Sequence, residues 1–589
     1  MSEVDFTVEV CGMAGDGTIA AGGLINEAMS LGGFSVLGFD SYPAEIRGFG
    51  RCVTKSRIGS TDIVALGEQT HALISLNDEQ SRSRAVFLDD HALVFFDSNP
   101  PSYVSEEKSL LSTLSNNVEV FGLPFGDLAV ASGAARSKNL VALGGFAAVT
   151  GIDPSLFRQV ILKKFKAKGD RIVDINIKSF DAGYDYALEK FHDRLKNWFA
   201  KSGTQYDSDK VMMSGNQAIG MAAIEAGLKL YFGYPITPAT PIMEYLAKWL
   251  PEKGGRVVQM EDEISSIGAV LGSFYAGERA MTATSGPGFA LMTELITHGV
   301  MAEIPAVIID AQRAGPATGL PTKTEQSDLH AAVFGGPGDS ARIVIAPTNV
   351  EECYYMVLKS FQLAEKYQTP VIVLTDFFLD NRVENLHTPR ASDELRACWN
   401  VFPDESPGNR YLRYEDTSSG ISPRAIPGMQ GYNYTATGLE HTESGSPDYS
   451  SEIHTKMTEK RHRKIRNALE DLQQPTEFFS SDQLDVGVIG WGSTFGSVLE
   501  AVAKSKKNGF RVGALKITSI FPYHSDIIKA FMAKSGFVLI PELNYEGQLA
   551  NLLERLNSKP VERLNLVTAT PIPPSAIQKR IEELLEVGA

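Results

Sequence analysis

Cysteine is scarce in this chain. Four occur in 589 residues, at Cys11, Cys52, Cys353 and Cys398. No two are spaced as C-x-x-C, which excludes a zinc ribbon or a four-cysteine iron–sulfur site built from this chain alone. Such usage fits a reducing compartment, and a cytoplasmic location is the expectation. Positive charge is also short: 55 Lys and Arg stand against 71 Asp and Glu, for a formal net charge of −16. With no dominant basic patch, nucleic acid is not an expected partner. The densest basic run, Lys460-Arg461-His462-Arg463-Lys464-Ile465-Arg466, lies in a helical, Glu-rich stretch and reads as a solvated helix face. No apolar run approaches the ~18 residues of a membrane span. The start, Met1-Ser2-Glu3-Val4-Asp5, has neither the basic nor the apolar region of a signal peptide.

What is present is ordinary α/β material: 43% hydrophobic and 21% charged residues, in a length that suits roughly three or four domains. Residues 1–190 alternate strand-like and helix-like stretches around a glycine turn, Gly12-Met13-Ala14-Gly15-Asp16-Gly17, which predicts a largely parallel sheet. A polar linker is expected over 191–210. A second α/β block spans 211–390, with strands beginning near Lys229, Val257, Arg279, Ala306, Ile343 and Val371. Its strands are almost continuously apolar, as in a sheet covered on both faces. Residues 391–478 are rich in Gly, Ser, Pro and Tyr and read as an ordered, irregular connecting segment that wraps a neighbour. A third α/β block fills 479–589.

Four strand-to-helix turns of the second block carry chemistry. Tyr234-Pro235-Ile236-Thr237-Pro238-Ala239-Thr240 is stiffened by two prolines and sets threonine hydroxyls at a helix start, where an anion is favoured. Glu261-Asp262-Glu263 opens a helix lined with small residues, so a flat group or another backbone could approach closely. A buried carboxylate there needs a proton or a partner; it serves either the helix dipole or a heteroaromatic nitrogen. Thr284-Ser285-Gly286-Pro287-Gly288 exposes backbone donors at the next turn. Arg313 ends a further strand and could grip a carboxylate with two N–H groups. All four turns belong on the carboxyl edge of one sheet, where open α/β folds bind ligands. The glycines at 12, 15 and 17 lack the spacing of a dinucleotide fingerprint. They serve either tight packing or a phosphate or coenzyme A contact at Gly15, Asp16 and Gly17. Gly15-Asp16-Gly17 also lacks the downstream asparagine of a thiamin diphosphate metal motif.

In this order, Tyr234-Pro-Ile-Thr-Pro, Glu263 with Ile267-Gly-Ala-Val, Thr284-Ser-Gly-Pro-Gly and Arg313, the chain resembles the α subunit of the 2-oxoacid:ferredoxin oxidoreductase family. Gly12–Gly17 and Tyr42-Pro-Ala-Glu-Ile-Arg-Gly48 resemble its γ domain, and the tail resembles its transketolase C-terminal-like domain. The resemblance covers nearly the whole chain. A γ domain ahead of the α domain is similar to the 2-oxoglutarate-type enzymes and less so to the single-chain pyruvate type.

The resemblance implies three α/β domains with mostly parallel sheets and a central pyrimidine-binding fold for thiamin diphosphate. Glu263 matches the glutamate that hydrogen-bonds the aminopyrimidine and promotes ylid formation. Ile236, Thr284, Ser285 and Gly286 match cofactor contacts. Thr237 and Arg313 match groups that orient the 2-oxoacid, and Thr322 a further substrate-facing threonine. It further implies that a β subunit supplies the diphosphate site, Mg²⁺ and a [4Fe-4S] cluster, in an (αβ)₂ assembly. Coenzyme A accepts the acyl group, ferredoxin takes the electrons, and the reverse direction carboxylates an acyl-CoA. Three other readings stay open: pyruvate or a branched-chain 2-oxoacid as substrate, a non-catalytic scaffold, and a nucleotide-binding dehydrogenase. Preference for 2-oxoglutarate requires a cation at the distal carboxylate, for which Lys323 and Arg47 are candidates.

Overall fold

A computed structural model describes residues 4–42, 50–99, 109–199, 209–403, 411–556 and 560–588. The run Pro43–Gly48, with the candidate Arg47, and residues 200–208 of the expected linker lie outside the described residues. The chain divides into two compact units, Met1–Met213 with Arg382–Thr388, and Ser214–Asn381 with Pro389–Ala589.

The first unit is built on an eight-stranded sheet. Its strands are β1 (Asp5–Met13), β2 (Ser35–Ser41), β3 (Arg51–Gly59), β4 (Thr70–Ser75), β5 (Leu88–Asp97), β6 (Glu119–Leu123), β7 (Lys210–Ser214) and, from far along the chain, β14 (Val383–His387). The order is β6-β5-β4-β1-β3-β2-β14-β7. One half is parallel, through β1/β4, β4/β5 and β5/β6, but β1/β3, β2/β3 and β14/β2 are antiparallel. The expectation of a largely parallel sheet therefore fails here. Ser41 and Arg51 leave too short a connection for a crossover helix, so β3 must return antiparallel beside β2. The boundaries expected at 211 and 390 also shift, because β7 and β14 complete this sheet rather than the next. Asn385 fixes β14: its side chain accepts from Val36 N at 2.8 Å and donates to Phe34 O at 2.7 Å. Helix α1 (Thr18–Leu31) packs its apolar side into a core that includes Val8, Val10, Phe95, Phe121 and Phe146.

The second unit carries two sheets. The larger holds β8 (Leu230–Gly233), β9 (Arg256–Gln259), β10 (Ala280–Thr284), β11 (Ala306–Gln312), β12 (Ile343–Ile345), β13 (Pro370–Asp376) and β18 (Ser519–Phe521), in the order β18-β12-β13-β11-β10-β8-β9. Its pairs are parallel apart from β12/β18. Every residue of β10, β11 and β13 is buried, as their apolar sequences predict, whereas the edge strand β9 is mostly exposed. The smaller sheet holds β15 (Thr476–Phe478), β16 (Leu484–Gly490), β17 (Val512–Lys516), β19 (Ser535–Glu542) and β20 (Glu562–Asn565), in the order β15-β17-β16-β19-β20. Val486, Val488, Val498, Leu539 and Ile577 fill its core.

Three helices of the larger sheet matter for the site: α2 (Thr240–Trp249), α3 (Glu263–Tyr275) and α4 (Gly286–Met301), which follow β8, β9 and β10. The irregular segment does wrap a neighbour, and the neighbour includes the carboxyl ends of α3 and α4. Arg424 donates to Phe274 O at 2.6 Å, and Tyr434 stands on Tyr275 with ring centres 6.3 Å apart. The basic run on α5 (Ser451–Asn467) overturns its reading as a solvated face. Lys460 and Lys464, one turn apart, are 0% and 2% exposed and reach the two oxygens of the fully buried Glu303 at 2.6 and 2.7 Å. Glu303 lies just past the end of α4, and Arg413 donates to its carbonyl at 2.7 Å. Burial alone would raise the Glu303 carboxyl, but Lys460, Lys464 and Arg413 outweigh it and hold it well below the ordinary carboxylate range. Two of the five Lys and Arg residues expected in water are instead answered by a single acid more than a hundred positions earlier in the chain, which composition cannot reveal.

Candidate functional site

The strand order reverses between β8, which continues outward to β9, and β10, which continues the other way to β11. At such a reversal, loops at the carboxyl ends part and leave a crevice. The four turns singled out in the sequence all emerge on this edge: Tyr234–Thr240 after β8, Met260–Glu263 after β9, Ser285–Gly286 after β10 and Arg313 after β11.

Arg313 draws two of these turns together. β11 and β8 are separated by β10, about 10 Å at the usual strand spacing. The Arg313 side chain spans that gap, and its Nη1 donates to Thr237 O at 2.7 Å. The guanidinium is buried, and its Nε has no hydrogen-bond partner among the described residues. Burial pulls its pKa below the ordinary value, against an opposing pull from Asp328. An arginine with donors to spare in a dry setting is well suited to a carboxylate. Thr237 precedes a cis bond to Pro238, and Ile236 O accepts from both the N–H and the hydroxyl of Thr240 at 3.0 Å, which closes the turn into α2.

Glu263 is buried at the first residue of α3, where Asp262 rather than Glu263 caps the helix by accepting from Ser265 N at 2.7 Å. The division of labour leaves the Glu263 carboxylate to face α4. A Cβ added to Gly288 would stand 2.2 Å from Thr284 Oγ1 and 2.4 Å from Glu263 Oε1. Only glycine lets the two helix starts come this close. Ser285 is fully buried at the start of α4, and its hydroxyl caps nothing and has no partner among the described residues. Unanswered buried hydroxyls are uncommon and call for a ligand or a water. The small residues and polar groups at these two helix starts fit a planar, nitrogen-bearing ring.

The loop after Arg313 folds back on its own strand end. Ala314 N donates to Lys323 O at 3.0 Å and Gly315 N to Glu325 Oε2 at 2.8 Å. This brings buried Thr322 and half-buried Lys323 next to the Arg313 strand end.

Sequence reasoning missed an acidic group beneath the crevice. Asp310 and Asp380 are fully buried, and burial drives both carboxyls well above their ordinary values. Asp328 lies beside Gly286 and is pushed up to about 6 by burial and by Glu325, against the pull of Arg313. An aspartate inside the apolar run Ala306-Val-Ile-Ile-Asp310 was the available signal.

The glycine turn belongs to the first unit. Gly15 and Gly17 take positive φ values of 99° and 81°. Asp16 accepts from Met13 N at 2.8 Å and from Lys138 Nζ at 2.7 Å, so its carboxylate is committed to closing the turn. A Cβ at Gly12 would meet Thr18 Oγ1 at 2.7 Å. Tight packing thus explains Gly12 and Asp16, while nothing stands within 4 Å of a Cβ at Gly15. No helix among the described residues is long and apolar enough to cross a membrane.

Three family descriptions match the chain. Residues 221–460 match pyruvate flavodoxin/ferredoxin oxidoreductase, thiamine diphosphate-binding; residues 7–186 match pyruvate ferredoxin/flavodoxin oxidoreductase; residues 485–570 match pyruvate:ferredoxin oxidoreductase core domain II. The chain is 31% identical over 587 residues to the 2-oxoglutarate oxidoreductase subunit KorA of Mycobacterium tuberculosis, across 93% of this chain and 86% of that protein. It is 38% identical over 358 residues to the 2-oxoglutarate synthase subunit KorA of Methanocaldococcus jannaschii, across 59% of this chain and 92% of that one. A solved 2-oxoglutarate:ferredoxin oxidoreductase from Magnetococcus marinus, with 2-oxoglutarate, coenzyme A and succinyl-CoA bound, superposes with a TM-score of 0.93 at 35% identity, covering 99% of each chain.

Proposed function

Because this chain belongs to the 2-oxoacid:ferredoxin oxidoreductase family, we propose that it catalyses the CoA-dependent oxidative decarboxylation of 2-oxoglutarate to succinyl-CoA and CO₂. Electrons pass to ferredoxin, and the reaction is reversible. The observation that carries the site assignment is the reach of Arg313 across β10 to Thr237, beside Glu263 and the unanswered Ser285 hydroxyl.

Thiamin diphosphate, when bound, supplies a nucleophilic carbon for the 2-oxoacid carbonyl and accepts the electrons freed by decarboxylation. Glu263 would hydrogen-bond the pyrimidine nitrogen of the bound cofactor. Thr284, Ser285, Gly286 and Ile236 would line the ring's berth, and Gly288 keeps the two helix starts close together there. Arg313 binds the carboxylate that will depart, with Thr237 and Thr322 orienting the oxoacid. Its attraction is lost once the carboxylate becomes neutral CO₂, so binding is spent on the ground-state charge and release is unopposed. Lys323, brought beside Arg313 by the folded-back loop, is assigned to the distal carboxylate of 2-oxoglutarate. The first unit is assigned to the γ domain, residues 214–381 to the pyrimidine-binding domain and the tail to the transketolase C-terminal-like domain. For Gly15 and Gly17, which the sequence left open between tight packing and a phosphate or coenzyme A contact, the contact through their backbone is the proposal.

The chain works in a complex. A β subunit is assigned the diphosphate, Mg²⁺ and a [4Fe-4S] cluster, in an (αβ)₂ assembly in the cytoplasm. Co-expression with a cysteine-rich partner tests this. The purified complex reduces ferredoxin or a viologen with 2-oxoglutarate in preference to pyruvate and branched-chain 2-oxoacids. Equal or reversed preference would sink the substrate assignment while leaving the reaction class standing.

A further inference from the structure

The lobe that carries Thr322 and Lys323 is closed on itself and stands on two feet. Within it, Ala314 and Leu320 form an antiparallel bridge, and Lys323 N donates to Leu320 O at 3.0 Å. One foot is Arg313, just past the end of β11. The other is Thr324–Gln326. Thr324 Oγ1 donates to Asp376 Oδ1 at 3.0 Å, at the last residue of β13, and Gln326 reaches the smaller sheet.

Gln326 lies where an open α/β sheet binds a ligand. In the smaller sheet the order turns back between β16, which continues to β17 on one side, and β19 on the other. Such a reversal opens a crevice beyond the carboxyl ends of the strands. Here the Gln326 side chain fills it. Its Nε2 donates to Trp491 O at 3.3 Å, just past β16, and its Oε1 lies 3.5 Å from Leu543 N, just past β19. Its backbone is held as well: Gln326 N donates to Leu543 O at 2.7 Å, and Asn544 Nδ2 donates to Gln326 O at 2.9 Å. Asn544 is itself fixed by the buried Glu542, which accepts its amide at 3.0 Å. Gln326 is 0% exposed, and a Cβ at Gly492 would stand 2.5 Å from its Nε2. Gln548 adds a second clasp, donating to Ser327 O at 2.7 Å and accepting from His330 N at 2.9 Å.

We propose that Gln326 is a positioning residue that sets substrate specificity. By filling the crevice of the smaller sheet it holds Lys323 at the distance from Arg313 that the two carboxylates of 2-oxoglutarate require. The inference rests on the assignment of Arg313 and Lys323 to those carboxylates. Strand β11 holds Arg313 whether or not the second foot is attached. Lys323 lies ten residues beyond Arg313 and three before Gln326, so releasing Gln326 lets the lobe pivot about β11 and carries Lys323 with it. A monocarboxylic 2-oxoacid needs Arg313 alone and is indifferent to that pivot. A dicarboxylic one loses its second contact.

The assembled complex tests this through KM for 2-oxoglutarate and KM for pyruvate or, where pyruvate turnover is too slow to follow, its inhibition constant against 2-oxoglutarate. Gln326→Ala raises KM for 2-oxoglutarate on the order of tenfold, the scale of a small misplacement of a binding group. It leaves kcat and the constant for pyruvate within about twofold, as loss of uniform binding at the distal end requires. Equal losses on both substrates, or none, overturn the inference. Gln548→Ala covers the case in which the first variant does not assemble, because it loosens the same foot from its other side. There the preference for 2-oxoglutarate over pyruvate falls about fivefold, the scale of a neutral hydrogen bond, and an unchanged preference overturns the inference. Lys323→Ala separates the two layers. If it leaves the preference unchanged, the Lys323 assignment falls and this inference with it. If it lowers the preference, and Gln326→Ala placed on top of it lowers the preference again by the same factor, only the inference falls. A residue that acts through Lys323 has nothing left to lose once Lys323 is gone.

Discussion

Helices α3 and α4 have unlike ends. At their amino ends, Glu263, Ser285 and Gly288 stand close together, with a buried hydroxyl that nothing answers and a glycine where any side chain would collide with a carboxylate. At their carboxyl ends the same helices are fastened. Arg424 and Tyr434 hold the last turn of α3, and Lys460, Lys464 and Arg413 converge on Glu303 just beyond α4. Cations at a helix carboxyl end complement its dipole, and a glutamate shared by two lysines fixes the helix along its axis as well as sideways. The contrast teaches where rigidity is placed. Groups at the crevice can be left unsatisfied because the far ends of their helices are over-determined, which is how a pre-organised site is kept in shape.

Each end can be broken separately. Glu263→Gln carries the largest expected effect. Turnover of the complex with 2-oxoglutarate, read by viologen reduction, falls by roughly 10²–10⁴ while assembly and thermal stability hold. A variant that loses stability in step with activity would erase the distinction between the ends. At the fastened end, Glu303→Ala strands two buried lysines, and the expected loss in a denaturant titration is about 3–5 kcal/mol. Near-wild-type stability would show that the cluster does not fix α4. Returning to the crevice, Arg313→Ala raises KM for 2-oxoglutarate by about a hundredfold, the scale of a lost charged hydrogen-bond pair in a dry site. An unchanged KM would remove Arg313 from the substrate assignment.

The smallest effect is a pH dependence of the fastened end. Burial lowers Lys464 to about 7, because one carboxylate cannot fully compensate Lys460, Lys464 and Arg413 together. The folded state then binds fewer protons than the unfolded state above about pH 7, up to the ordinary lysine range. Stability from this group is lowest below the folded value and grows as pH rises through it. Compared with Lys464→Met, the wild type should gain about 1–2 kcal/mol between pH 6.5 and 8.5 in paired thermal melts. A difference that is flat or shrinks with pH would contradict the cluster's charge balance.

The sequence was informative where function depends on neighbours along the chain. Thr237, Glu263, Ser285 and Arg313 each follow a strand within a few residues, so turn chemistry alone placed them on one sheet edge. It was opaque where a property is set by a distant residue. Nothing in the run from Lys460 to Arg466 announces Glu303, so its burial could not be read locally. The same holds for Val383–His387, whose polar sequence has no strand period and whose place is fixed by Asn385 bonding to Phe34 and Val36. Asp328 escaped notice because its neighbour Gly286 lies on a different turn, more than forty residues earlier.

The short strand β18 has a consequence for how this gene could have been cut or fused. It is encoded within the tail, yet it hydrogen-bonds to β12 as the outermost rung of the larger sheet. A chain ending before residue 480 would thus lack more than an appended module. It would present β12 with a row of bare amides and carbonyls, a template for pairing with the next molecule. A split gene would have to leave that rung behind, or the two products would have to meet before either was safe from aggregation.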